Sequence, residues 1–105
     1  MDREAILTKI GIMMRRLYPG VETYLYGSSA RGEAMPDSDF DLLMLLPDTM
    51  DNKEWKDLKY RIYSSIFDIE IDENVNLSPL IMPKKVWQSR VTPFTINVNK
   101  DAIRI

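Results

Sequence analysis

The chain has 105 residues, 45% of them hydrophobic and 29% charged, a balance too apolar for intrinsic disorder and a length that suits one domain spanning residues 1–105 rather than a multi-lobed enzyme. Its 14 basic and 16 acidic residues leave a net charge of −2, which argues against a broad phosphate-neutralising surface and makes nucleic acid an unlikely main partner. With neither Cys nor His, disulfides are excluded and any bound metal must rest on oxygen ligands, which favours magnesium, calcium or manganese over zinc.

The N-terminal "MDREAILTK", with acidic Asp2 and Glu4 among its first residues, is not signal-like, and the longest purely apolar run, Leu42 to Leu46, falls far short of the ~20 residues a spanning helix needs. No membrane association and a cytoplasmic location are expected. Ile6, Leu7, Ile10, Met13, Met14 and Leu17 recur at helical steps behind a capping Asp2, which predicts an amphipathic helix over 3–18. "YPG" at 18–20 ends it, and "VETYLYG" then alternates as a strand that runs straight into Gly27 and Ser28. "FDLLMLLP" is the second strand, bounded by a turn at Pro36 and by Pro47; its near-continuous apolar character predicts a central position with both faces covered.

From Asp51 or Asn52, Trp55, Leu58, Ile62 and Ile66 fall on one helical face. "FDIEID" alternates as a strand would, yet Ile69 also continues that helical stripe, and we read it as helix. "NVNLSPLIM" is the third strand, "PKKVWQSR" a short helix opened by Pro83, and "TPFTINVNKDAIRI" a closing segment. The basic pairs Arg15-Arg16 and Lys84-Lys85 read as solvated helix ends. The order helix, strand, strand, helix, strand, helix predicts an α/β (α+β) architecture, a small mixed sheet covered by helices.

The stretch "GSSARGEAMPDSDFDLLML", Gly27 to Leu45, crowds three aspartates into five residues ahead of a buried strand. A calcium hand starting at Asp37 would need Gly and Glu at its sixth and twelfth positions, where Leu42 and Asp48 stand, and would turn the apolar run into an exposed loop. A two-metal phosphoryl-transfer site fits better. Residues two apart on a strand share a face, so Asp39 and Asp41 project together and repel unless a cation lies between them. Divalent ions bridging such carboxylates to a triphosphate activate the attacking oxygen and neutralise the leaving one. Gly27 admits close approach of the backbone to a phosphate, Ser28 supplies a hydroxyl and neighbouring amides where a short helix would begin, Arg31 adds a fixed positive charge, and Gly32 permits the return of the loop. A capped turn beside an acidic strand edge is the plainer competitor. Asp37 reads as a turn cap with Pro36 and Ser38, Glu33 as solvated, and Trp55, Trp87 and Phe94 as core or partner-facing anchors rather than base-stacking platforms.

Gly-Ser at 27–28, ten intervening residues and Asp-x-Asp at 39–41, with the inner "RG" and the "SD" before the strand, resemble the motif of the minimal nucleotidyltransferases of the DNA polymerase beta superfamily. The tail "PFTINVNKDAIRI" is similar to the ending common in that family. The resemblance covers most of the chain and implies a polymerase beta-like nucleotidyltransferase fold. It further implies transfer of a nucleoside monophosphate from a nucleoside triphosphate such as ATP to a hydroxyl acceptor, with Mg2+ in a two-metal site. Gly27 and Ser28 would hold the terminal phosphates with help from Arg31, and Asp39 and Asp41 would be catalytic metal ligands. Members of this size include antitoxins paired with a helical HEPN-type toxin, some of which attach adenylate to a toxin tyrosine, so the implied partner is such a toxin or a second copy in a homo-oligomer.

The chain departs from the family pattern in one respect. Where members carry a third carboxylate in "VDL", this sequence reads "VNL" with Asn76, whose amide can offer an oxygen to a cation but takes up no proton at neutral pH. Glu70, Asp72 or Glu73 would have to substitute if the register differs. A binding antitoxin or subunit with a weakened site is therefore the second reading, and 105 residues leave no room for the helical domain of larger relatives, so a partner would supply those surfaces.

Overall fold

A computed structural model describes residues 2–35 and 37–105; the turn expected at Pro36 lies outside the described residues. Helix α1 (Arg3–Leu17) starts as its sequence predicts, with the Asp2 carboxylate accepting the Ala5 amide, and buries Ile6, Ile10 and Met14 at four-residue steps. Leu17, expected on the same stripe, is exposed. Strand β1 (Glu22–Tyr26) and strand β2 (Phe40–Leu46) pair antiparallel, with Leu25 opposite Leu42 and Tyr26 opposite Asp41.

Helix α2 (Asn52–Glu73) is capped by Asp51, whose carboxylate accepts the Glu54 amide at 2.8 Å, and buries Leu58, Ile62, Ile66 and Ile69. The helical stripe therefore wins over the alternation in "FDIEID": burying Ile69 against the sheet continues the same face, whereas a strand would have begun a new one. The helix stops at Asn74, which takes the left-handed conformation (φ 52°) that asparagine tolerates better than most residues. Strand β3 (Leu77–Pro83) consequently starts three residues later than expected, and Asn76 falls just outside it. Helix α3 (Lys84–Ser89) follows directly, with Pro83 serving as its cap residue rather than lying inside its first turn. The closing segment resolves into α4 (Pro93–Asp101) and β4 (Ile103–Arg104).

The sheet order is β3-β2-β1-β4, mixed because β2 and β3 run parallel through the α2 crossover while β1 pairs antiparallel with both of its neighbours. β2 is central, as its sequence implied, and alternation along it feeds two cores. Phe40, Leu42, Met44 and Leu46 meet α1 and α2 in the larger core, together with Leu25, Leu77 and Ile81. Leu43 and Leu45 meet Trp87 of α3 and Val98 of α4 in a smaller core on the opposite face. Asp41 alone in β2 escapes full burial. No helix among the described residues is long and apolar enough to cross a membrane.

Candidate functional site

Asp41 shares its face of β2 with Leu43 and Leu45, and parity places Asp39, just ahead of the strand, on the same side. The charge of Asp39 is felt at Asp41, whose carboxyl is pushed above the usual carboxylate range first by its partial burial and then by that neighbour. Ser78 of β3, in register with Asp41, donates its hydroxyl to Asp39 Oδ2 at 3.5 Å. A cation held here would relieve both the desolvation of Asp41 and its repulsion from Asp39.

The loop after β1 turns toward these carboxylates. Gly27 adopts φ 75°, a region other residues rarely enter, and a Cβ built on it would lie 2.6 Å from Asp41 Oδ2. The Ala30 and Arg31 amides both donate to the Gly27 carbonyl at 3.1 and 3.2 Å, and the Glu33 amide donates to Ser28 at 2.9 Å, so residues 27–33 coil into hydrogen-bonded turns rather than the short helix expected at Ser28. Ser28 is half-buried beside the bend. The bend and the acidic edge thus face each other, and a side chain at position 27 would press on the Asp41 carboxylate.

Arg31 is engaged elsewhere. Its Nη1 donates to Asp101 at the end of α4 at 2.7 Å and its Nε to Glu33 at 3.1 Å, so contact with a phosphate requires exchange of these partners. Asn76 is exposed, and its backbone carbonyl accepts the Phe40 amide at 3.1 Å. Glu70 accepts the Leu77 amide at 3.4 Å, while Asp72 and Glu73 pair with Lys9 of α1 at 3.8 and 3.1 Å. Those three acids thus lie along α2 with partners of their own, and among the described residues no group of three carboxylates gathers to hold a metal. Asp37 is exposed, and Trp55 is only partly buried against the larger core.

Two residues at the site carry no motif. Arg3 donates to the Ser38 carbonyl and to Ser29 Oγ, each at 2.8 Å, and its guanidinium lies 3.9 Å from the Phe40 ring centroid. One side chain thus ties the phosphate-side loop to the entrance of β2, and the Ser29 hydroxyl continues the tie to the Asp39 carbonyl at 3.4 Å. The available signal was a cation in the first turn of a helix, where the dipole mildly disfavours positive charge. Ser78 gave no such signal, because only the parallel register levels it with Asp41.

The donors assembled here are two carboxylates and a hydroxyl, all hard oxygens. They suit magnesium, which takes one or two carboxylates and completes its shell with water and substrate phosphates.

A nucleotidyltransferase domain family matches residues 9–91, a span that includes the bend, both aspartates and Ser78. The chain belongs to the nucleotidyltransferase domain family. Among solved structures, this nucleotidyltransferase domain is similar to a minimal nucleotidyltransferase at 20% identity, covering 100% of this chain and 97% of that one with a TM-score of 0.65. It is also similar to a toxin–antitoxin with AMP-PNP at 21% identity, over 98% of this chain and 72% of that one, TM-score 0.53. The toxin–antitoxin MntA-HepT matches at 19% identity over 97% and 70% of the two chains, TM-score 0.51. These likenesses establish the minimal nucleotidyltransferase fold, with its small mixed sheet and covering helices. No curated protein matches the sequence.

Proposed function

We propose that this nucleotidyltransferase domain, residues 1–105 acting as one unit in the cytoplasm, transfers AMP from ATP to a hydroxyl, with a tyrosine on a helical HEPN-type toxin as the acceptor. The approach of Gly27 to Asp41 carries the reading: the 2.6 Å gap to a hypothetical Cβ is the mark of a bend kept bare beside a carboxylate. Gly27 and Ser28 would hold the terminal phosphates with backbone amides and a hydroxyl, while Asp39 and Asp41 would hold magnesium and so set the α-phosphate in line with the acceptor. When bound, the metal would neutralise phosphate charge and polarise the reacting oxygens. The acceptor oxygen would form its bond to the α-phosphorus as the bond to pyrophosphate breaks. Arg31 would exchange Asp101 for phosphate; an exposed ion pair of this kind is weakly held. The family match and the likeness to toxin–antitoxin structures support the reaction class and a protein partner.

A second reading is favoured by the third position, where Asn76 and Ser78 stand and no carboxylate joins the pair among the described residues. Neither side chain takes up the acceptor's proton at neutral pH, and loss of such a base costs about 100- to 10,000-fold in rate. On this reading the domain acts by binding its partner. Incubation with magnesium, α-labelled ATP and the candidate toxin distinguishes the two. Transfer of label that disappears in Asp39→Ala/Asp41→Ala supports the enzyme; tight association of toxin and domain without transfer, unchanged in the double variant, supports the subunit.

A further inference from the structure

We propose that Phe94, backed by Tyr26, is the platform on which the base of the bound nucleotide stacks, an inference that rests on the nucleotide reading of the site. Phe94 is the second residue of α4, and its position is fixed by a capping box in which the Thr95 amide donates to Thr92 Oγ1 at 3.1 Å and the Thr92 amide to Thr95 Oγ1 at 3.0 Å. The ring stands nearly perpendicular to two others, Tyr26 at 6.3 Å and the buried Trp87 at 6.4 Å between centroids. Such edge contacts hold a ring in place while leaving part of its surface unused. Phe94 remains 51% exposed. A half-exposed ring already held by two edge contacts has less conformational freedom to lose when a second ring lies on it than an unpacked side chain has.

Its place ties it to the chemistry. Tyr26 is the direct cross-strand partner of Asp41, and the residue after Tyr26 is Gly27 of the bend. From the carboxylate edge, one strand spacing leads to Tyr26 and one ring contact leads on to Phe94, so a nucleotide whose α-phosphate lay at Asp41 would reach this platform if its base turned to this side of the sheet. The sequence alone suggested an anchor for core or partner; Trp87 fits that description, whereas Phe94 leaves half its surface open next to the site. No hydrogen-bonding side chain is required for recognition of this kind, and stacking accepts any base. The platform therefore distinguishes nucleotides from bare polyphosphate rather than adenine from guanine.

Binding of ATP, GTP and inorganic tripolyphosphate to the full chain in magnesium, measured by calorimetry for wild type, Phe94→Ala and Phe94→Trp, tests the proposal. Phe94→Ala is expected to weaken ATP and GTP by roughly 5- to 100-fold, the range for loss of one stacked base. Tripolyphosphate should bind as to wild type, and Phe94→Trp should retain nucleotide affinity. Unchanged ATP binding in Phe94→Ala overturns the platform and leaves the exposed ring to another role, such as protein docking. Equal loss of ATP and tripolyphosphate also overturns it, since Phe94 then acts only through the fold. If wild type binds neither ATP nor tripolyphosphate, the nucleotide reading itself fails, and the platform with it.

Discussion

Gly27 answers to two constraints that can be separated by experiment. Its φ of 75° is strained for any residue with a side chain, and a Cβ would also press on Asp41; Gly32 has nearly the same φ, 74°, but open space around it. Alanine at either position should destabilise the fold by about 1–2 kcal/mol, the usual cost of holding an L-residue in the left-handed region. Only Gly27→Ala should displace the Asp41 carboxylate, and a misplacement of that size lowers label transfer by about 100-fold. Thermal melts and transfer assays on the two variants check this, and equal transfer by both would detach Gly27 from the chemistry. Arg3 and Ser78 belong to the same scale. One pins the bend to the strand entrance and the other meets Asp39 from the next strand, and neither follows from the spacing of residues around the motif.

At the scale of elements, Glu22 at the head of β1 gathers three contacts near the far end of the sheet from the aspartates. It accepts from Lys84 Nζ at 2.7 Å and from the Tyr24 hydroxyl at 2.6 Å, and lies 3.8 Å from Arg104 of β4, so it ties together β1, β4 and the β3–α3 junction. The Lys84 and Tyr24 hydrogen bonds hold its carboxyl below the ordinary value of 4.5 despite some opposing desolvation. A depressed carboxylate contributes stability that is fully present above its unfolded value and is lost as pH falls through its folded value. Glu22→Gln should therefore unfold at lower urea than wild type at neutral pH, with the difference closing as the pH is brought well below 4.5. A gap that persists in acid would assign the effect to packing. The elements themselves were largely legible in the sequence. Caps at Asp2 and Asp51 and the stripe through Ile62, Ile66 and Ile69 are local signals, and the apolar run of β2 announces a strand covered on both sides. What sequence could not supply is register. The start of β3 depends on where α2 ends, and the left-handed Asn74 delays it, so Ser78 rather than Asn76 comes level with Asp41. Ion pairs between distant residues, such as Arg31 with Asp101, likewise depend on the fold and leave no trace in local spacing.

Over the whole molecule the sheet carries unequal layers. The face under α1 and α2 is covered along its length, from Phe40 to Leu46 of β2, while on the other face α3 and α4 close over Leu43, Leu45 and Met82 and leave Asp41 only partly buried. The candidate site lies where that second layer stops, so the larger core serves as its rigid support. One group in that core is out of keeping with it. Thr23, level with Met44 and only 2% exposed, has a hydroxyl with no hydrogen-bond partner among the described residues. A buried hydroxyl that has given up water without a replacement costs about 1–3 kcal/mol. Valine keeps nearly the same shape and suits a strand at least as well, so Thr23→Val removes the penalty without opening a cavity. We expect a gain of about 1 kcal/mol, which for a chain of this size raises the melting temperature by about 4–8 °C. Nucleotide binding should be unchanged, because Thr23 lies on the face opposite Asp41. A lower melting temperature in calorimetry would mean that the hydroxyl has a partner in solution, such as a buried water, and that the larger core is less dry than its apolar lining implies.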